Sequence, residues 1–187
     1  MLTDDDVDQI VIKAAGDGRH NAAAARLEEL AEKPELHAGE INRASLLVDA
    51  GGQHGLAGDW DAAIRCYQEA IAAGDCQRTD PRVWLHDALL RTGRPDEASG
   101  LLRELKAVRS QDPDLYAAVA ESLEMHGLLA DAHTWFTMGY HRCENADVPE
   151  FMLDLLLVGR RRVRHSLGYP TDELDELADD YLDAVAD

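Results

Sequence analysis

Apolar residues recur along this chain at steps of three and four. They form the sets Val7, Ile10, Val11 and Ala14, then Ala23, Leu27 and Leu30, then Leu46, Leu47 and Ala50. The pattern continues with Trp60, Ala63, Ile64, Tyr67 and Ala70, then Val83, Trp84, Leu85, Ala88 and Leu89, then Ala98, Leu101, Leu102 and Leu105. A last group joins Tyr116, Val119 and Leu123 to Ala132, Trp135 and Phe136. Steps of this size place one apolar stripe on one side of a helix, so each set predicts a helix with a single buried face. Breaks fall where the stripes end, at Gly16-Asp17-Gly18, at Pro34, in the loop DCQRTDP (75–81) and at Ser110-Gln111-Asp112-Pro113. Thr3 followed by Asp4, Asp5 and Asp6 reads as an N-cap with carboxylates at the positive end of the helix dipole.

Three stretches repeat one design: GDWDAAIRCYQEAI (58–71), GRPDEASGLLRELK (93–106) and GLLADAHTWFTMGY (127–140). Gly58, Gly93 and Gly127 stand 35 and 34 residues apart, each followed five residues on by Ala63, Ala98 or Ala132 and then by Tyr67, Leu102 or Phe136. Gly18, Ala23 and Leu27 form an earlier copy, offset by 40 residues because about six extra residues lie around 34–42. A period of about 34 residues built as helix, turn, helix marks a helical repeat array. Such a hairpin cannot bury its apolar face alone and needs stacked neighbours. Gly51-Gly52 inside a predicted helix costs roughly 1 kcal/mol per glycine against alanine. A small residue at Gly51 suits close packing, whereas Gly52 predicts a frayed or bent helix.

These strings resemble the tetratricopeptide repeat family over roughly residues 5–140, although His54, Leu89 and Leu123 stand where that family often has Tyr. The resemblance implies an all-α, right-handed solenoid of about four repeats, near 4–34, 44–73, 79–107 and 113–142, within a repeat region 1–145. It also implies a non-catalytic interaction module whose concave groove, lined by the first helix of each hairpin, holds a peptide or partner protein. On this sequence the groove positions are Val48, Gly52 and Leu56, then Val83, Asp87, Leu90 and Arg91, then Ala117, Glu121, Glu124 and Met125. Family members that clamp a C-terminal carboxylate use Lys, Asn and Arg at several such places, and here Arg91 is the lone cation. Apolar and acidic lining suits an apolar peptide with basic flanks. Apolar faces left exposed at the ends of an array also allow self-association.

Residues 146–187 follow a different plan. Pro149-Glu150 opens a helix that ends in Arg160, Arg161, Arg162, Val163, Arg164 and His165 and is closed by Gly168. Pro170-Thr171 starts a last helix with Leu174, Leu177, Tyr181, Leu182 and Val185 on one side and Asp and Glu on the other. A helix with one polar face caps a stack. The stretch RRRVRHSLGYPTDELD (160–175) resembles the tail of a group of actinobacterial repeat proteins, some of which carry a SEC-C metal-binding module. That module needs clustered Cys and His, which are absent here, so no zinc function carries over.

Composition adjusts this picture in a few places. The net charge is −19, from 37 acidic and 18 basic residues, which opposes nucleic acid and anionic membranes over the surface as a whole. Fifteen of the basic residues are Arg, as in proteins of GC-rich bacteria. Against that background Arg160, Arg161, Arg162 and Arg164 exceed what the helix dipole calls for. They either dock an acidic partner or nucleic acid, or pair with the acidic last helix. Three unpaired cysteines, no bilayer-length apolar run and an acidic N-terminus point to a reduced, cytoplasmic protein without a secretory signal. His126, His133, His141 and Cys143 are the densest ligand set, but their spacings of seven, eight and two do not match helical zinc motifs. No phosphate loop, nucleophile elbow or Cys–His dyad stands in recognisable context. The expectation is therefore no catalytic residue, no metal and no cofactor.

Overall fold

A computed structural model describes residues 1–74, 76 and 79–186. Of the loop expected at 75–81, Asp75, Gln77 and Arg78 lie outside the described residues. The helices are α1 (Asp4–Asp17), α2 (His20–Ala31), α3 (Arg43–Leu56), α4 (Trp60–Ala73), α5 (Pro81–Arg91), α6 (Pro95–Val108), α7 (Pro113–Met125), α8 (Leu129–Cys143), α9 (Glu150–Leu167) and α10 (Glu173–Ala186). Among the described residues the one β-type pairing is an isolated bridge between Ala38 and Ile41. The fold is an all-α helical repeat of the tetratricopeptide kind.

The repeated glycines close identical turns. Gly58, Gly93 and Gly127 have φ of 80°, 73° and 74°, the left-handed region where a Cβ is penalised. Each glycine N–H donates three residues back, to the carbonyls of Gly55, Leu90 and Glu124. The next N–H, of Asp59, Arg94 or Leu128, donates five residues back, to His54, Leu89 or Leu123 at 2.9 Å in every case. This is the Schellman arrangement, which satisfies the orphan carbonyls of the outgoing helix. Five residues after each glycine, Ala63, Ala98 and Ala132 are all buried. At the first turn Arg19 N–H reaches the carbonyl of Ala14, again five back, and Ala23 is likewise buried.

Helix starts are equally local in origin. Thr3 and Asp6 form a capping box on α1, and Asn42 with Ser45 forms one on α3. Helices α5 and α7 share an Asp-Pro start, with Asp80 or Asp112 accepting from the backbone two residues on and proline at the first helical position.

Two compact units are present, residues 1–103 and 104–187, whereas the repeat pattern in the sequence runs to about 145. In the first, α2, α3, α4 and α5 pack in succession. Val7, Leu27, Leu30, Leu46, Leu47 and Cys66 form one core, and Ala63, Tyr67, Leu85, Ala88 and Ala98 belong to the next. The extra residues near 34–42 fold into a compact link. It consists of a short 3-10 turn (Pro34–Leu36) and the Ala38–Ile41 bridge, tied to the N-terminus by the Leu2 N–H donating to Leu36. Helix α2 therefore still packs on α3. In the second unit α8 packs against α7 and α9, and α9 against α10, around Tyr116, Val119, Leu123, Phe136, Leu156 and Val163.

Three expectations need correcting. Helix α3 runs unbroken through Gly51 and Gly52. The Tyr67 ring lies where a Gly51 methyl would stand, with Cδ1 and Cζ 2.8 Å from that point, while no atom lies within 4 Å of the corresponding point at Gly52. Trp84, placed in the buried stripe by its spacing, is 39% exposed. On α10, Leu177 and Val185 are 47% and 61% exposed, and the buried positions are Ala178 and, against pattern, Asp175.

Candidate functional site

The first unit contains an apolar pocket of about 290 Å³ lined by Val11 of α1, Val48, Asp49, Gly52, Gln53 and Leu56 of α3, Tyr67 of α4 and Trp84 of α5. The helical period produces this lining directly. Val48, Gly52 and Leu56 sit four apart on α3 and so share one face. The absence of a side chain at Gly52 leaves room between the other two. Leu56 is 66% exposed, an apolar side chain with no cover in the folded unit. Two carboxylates edge the region: burial raises the Tyr67 hydroxyl pKa well above its ordinary value, and the charges of Asp87, Cys66 and Asp49 push the same way. Gln53 is buried, and its Oε1 accepts from the His20 Nδ1–H at 2.9 Å, which ties α2 to the pocket-lining helix α3.

Other expected groove residues fall unevenly. Val83 is 1% exposed, because the first turn of α5 points that side chain into the core, so it belongs to the interior and not to a groove surface. Asp87 and Arg91 pair with each other at 2.6 Å, and the Arg91 guanidinium also stacks over Trp60 at 4.9 Å. Leu90 is half-buried and packs against the core around Tyr67 and Ala88. In the second unit Glu121 and Met125 are exposed, and Glu124 receives two hydrogen bonds from Arg162.

The arginine run is held from within. Arg160, 4% exposed, donates to Asp175 at 2.7 Å and to Asp172 at 2.6 and 2.9 Å, with a further bond to the Thr137 hydroxyl. Arg164 meets Asp175 at 2.8 Å, Arg161 meets Asp179 at 2.5 Å, and Arg162 meets Glu124. Bonding by Arg160 is the main reason the Asp172 carboxyl is lowered to about 2. Of the two readings that the sequence leaves open for this run, the pairing within the chain is present: carboxylates of α10, of Asp172 just before it and of Glu124 on α7 meet the four guanidinium groups.

The histidine set does not converge. His141 contacts Glu144 at 3.5 Å, Cys143 is buried, and His133 stands edge-on to Tyr169 at 5.8 Å. The His133 pKa is lowered by burial and then by Arg160 and Arg164, and its buried Nε2 has no hydrogen-bond partner. A different trio does come together: ligand atoms of Glu28, His54 and Cys66 lie within 4.8 Å of one another. His54 Nε2 donates to Glu28 Oε1 at 2.6 Å, Arg65 reaches the same carboxylate at 3.3 Å, and His54 Nδ1 is buried without a partner. Burial, followed by the charge of Glu28, raises the Cys66 thiol to about 12. Sequence spacing gives no sign of this trio, since its members come from three helices at separations of 26 and 12 residues.

Comparison with known proteins adds one finding. No curated protein and no solved structure matches the chain. Residues 56–122 match the family profile described as Tetratricopeptide repeat, a span that runs from the last residue of α3 through the turns at Gly58 and Gly93 and the helices α4, α5 and α6 into most of α7. Sequence period, equivalent turns and family profile agree that this stretch is built of tetratricopeptide repeats.

Proposed function

We propose that this protein is a non-catalytic interaction module that holds an apolar peptide segment of a partner protein in the pocket between α1, α3 and α5. Tetratricopeptide repeats generally mediate protein–protein interaction, and the observation that carries the reading here is the uncovered Leu56 beside the half-open Trp84 at a 290 Å³ apolar pocket. Exposed aromatic and aliphatic anchors around a concavity are the usual seats of binding energy. Asp49, which lines the pocket, favours a basic residue flanking the bound segment. In the second unit Glu121 and Met125 offer a further exposed acidic and apolar pair. We place the protein in the cytoplasm, a setting in keeping with three free cysteines, Cys66, Cys76 and Cys143. Among the described residues no helix is long and apolar enough to cross a membrane.

The test is capture of a partner from native lysate by the full chain, with nuclease treatment and identification by mass spectrometry. The double variant Leu56→Asp with Trp84→Ala should lose the partner, each change removing on the order of 1–2 kcal/mol of contact, while Arg161→Glu should keep it. Retention of the partner by the pocket variant would sink the reading.

A further inference from the structure

The trio at the α2–α3–α4 junction has a composition that packing alone does not require. Glu28, His54 and Cys66 supply one oxygen, one imidazole nitrogen and one sulfur, each from a different helix, and all three point into one volume. We propose that Glu28, His54 and Cys66 bind a divalent metal ion of the zinc class, which pins α2, α3 and α4 together.

The donor set selects the ion. Thiolate and imidazole together favour zinc and its neighbours over magnesium and calcium, which take oxygen ligands. Three protein ligands leave one place of a tetrahedron for water. Cys66 is fully buried and the His54 side chain nearly so, whereas the Glu28 side chain is 33% exposed, so the carboxylate side is the way in.

Binding changes little else. The Cys66 thiol proton leaves to solvent as the sulfur takes the metal. The His54 proton now shared with Glu28 moves to Nδ1, and the ion replaces that hydrogen bond between Nε2 and the carboxylate. Arg65, the competing partner of Glu28, is 53% exposed and already within 3.9 Å of Glu69, so it can shift to Glu69 without stranding a charge. The site is separate from the apolar pocket and does not depend on what that pocket holds.

The probe is Co²⁺ and Zn²⁺ added to the chelator-treated full chain. One equivalent should bind, Co²⁺ should give a near-ultraviolet thiolate charge-transfer band, and Zn²⁺ should raise the melting temperature. Cys66→Ser should abolish the band, and His54→Gln should weaken binding at least tenfold, with helix content checked by circular dichroism. Should Cys66→Ser fail to fold, Glu28→Gln gives the same readout, a tenfold or greater loss with the band shifted. Absence of a thiolate band in the unaltered protein overturns the proposal. So does stoichiometric uptake that is unchanged in both the His54 and the Glu28 variants, which would mark adventitious surface histidines.

Discussion

Two adjacent glycines on α3 illustrate how differently one residue type acts at the residue scale. At Gly51 an added methyl would overlap the Tyr67 ring, which is buried and cannot swing away. The helix-propensity gain of about 1 kcal/mol is then outweighed by overpacking of about 1–3 kcal/mol. Gly51→Ala is therefore expected to lower the urea midpoint. Gly52→Ala meets no atom within 4 Å and should raise the midpoint, with a stability gain of about 0.5–1 kcal/mol; a shared sign for the two variants would contradict this packing. The same device recurs in the second unit, where the Gly139 and Gly159 positions are filled by the Tyr116 and Phe136 side chains at 2.5 Å. Asp175 is the costliest single position. It is buried and accepts from both Arg160 and Arg164, so Asp175→Ala strands buried guanidinium charge. The loss should reach about 3 kcal/mol, the low end for a broken buried pair, because Asp172 still accepts from Arg160. Arg160→Met with Asp175→Leu should recover part of it in a double-mutant cycle.

At the scale of elements, α10 is fastened to α9 more by charge than by grease. Leu177 and Val185 remain in water while Asp172, Asp175 and Asp179 reach Arg160, Arg164 and Arg161. The pH dependence follows from Asp172, whose folded pKa is depressed to about 2 from an ordinary 3.8, chiefly by the Arg160 hydrogen bond. A depressed acid stabilises the fold fully above its unfolded pKa and loses that stabilisation as pH falls towards the folded value. The α9–α10 clasp should therefore loosen between about pH 4 and pH 2, and Asp172→Asn should remove that part of the acid sensitivity. Hydrogen exchange along 173–186 against pH reads this out, and exchange independent of pH across that window would refute it. Helices, turns and the repeat were legible in the sequence because each arises from neighbours: Gly58 and Asp59 close on Gly55 and His54, and Asp112 caps its own helix. Pairings such as Arg162 with Glu124, 38 residues away, or Glu28 with His54 and Cys66, arise only after stacking, and no local spacing encodes them. Half of the pocket was readable for the same reason. Val48 and Leu56 follow from periodicity on one helix, while Trp84, which its spacing places in the buried stripe beside Val83, lines the pocket because the rotation of α5 depends on what it packs against.

Across the whole molecule the decisive quantity is the charge of −19 set against arginines that are already engaged. Nucleic-acid binding draws on cations that are free to displace counterions from phosphate. The densest basic run here is spent on Asp172, Asp175, Asp179 and Glu124, and the rest of the surface repels a polyanion. Neither duplex DNA nor RNA should be retarded in a gel at about 0.1 M salt, where the screening length is about 10 Å. Salt should act on stability through the same imbalance. Exposed pairs such as Arg26 with Glu29 contribute little and weaken under screening, while Arg160 and Asp175, both buried, are screened least. Repulsion among the excess carboxylates is spread over the surface and is screened most. Raising sodium chloride from about 10 mM to about 200 mM should therefore raise the melting temperature. Chloride is the right anion for this measurement, since sulfate would stabilise any compact state by exclusion from its surface. A melting temperature that falls with chloride would mean that the ion pairs outweigh the repulsion behind the net charge of −19.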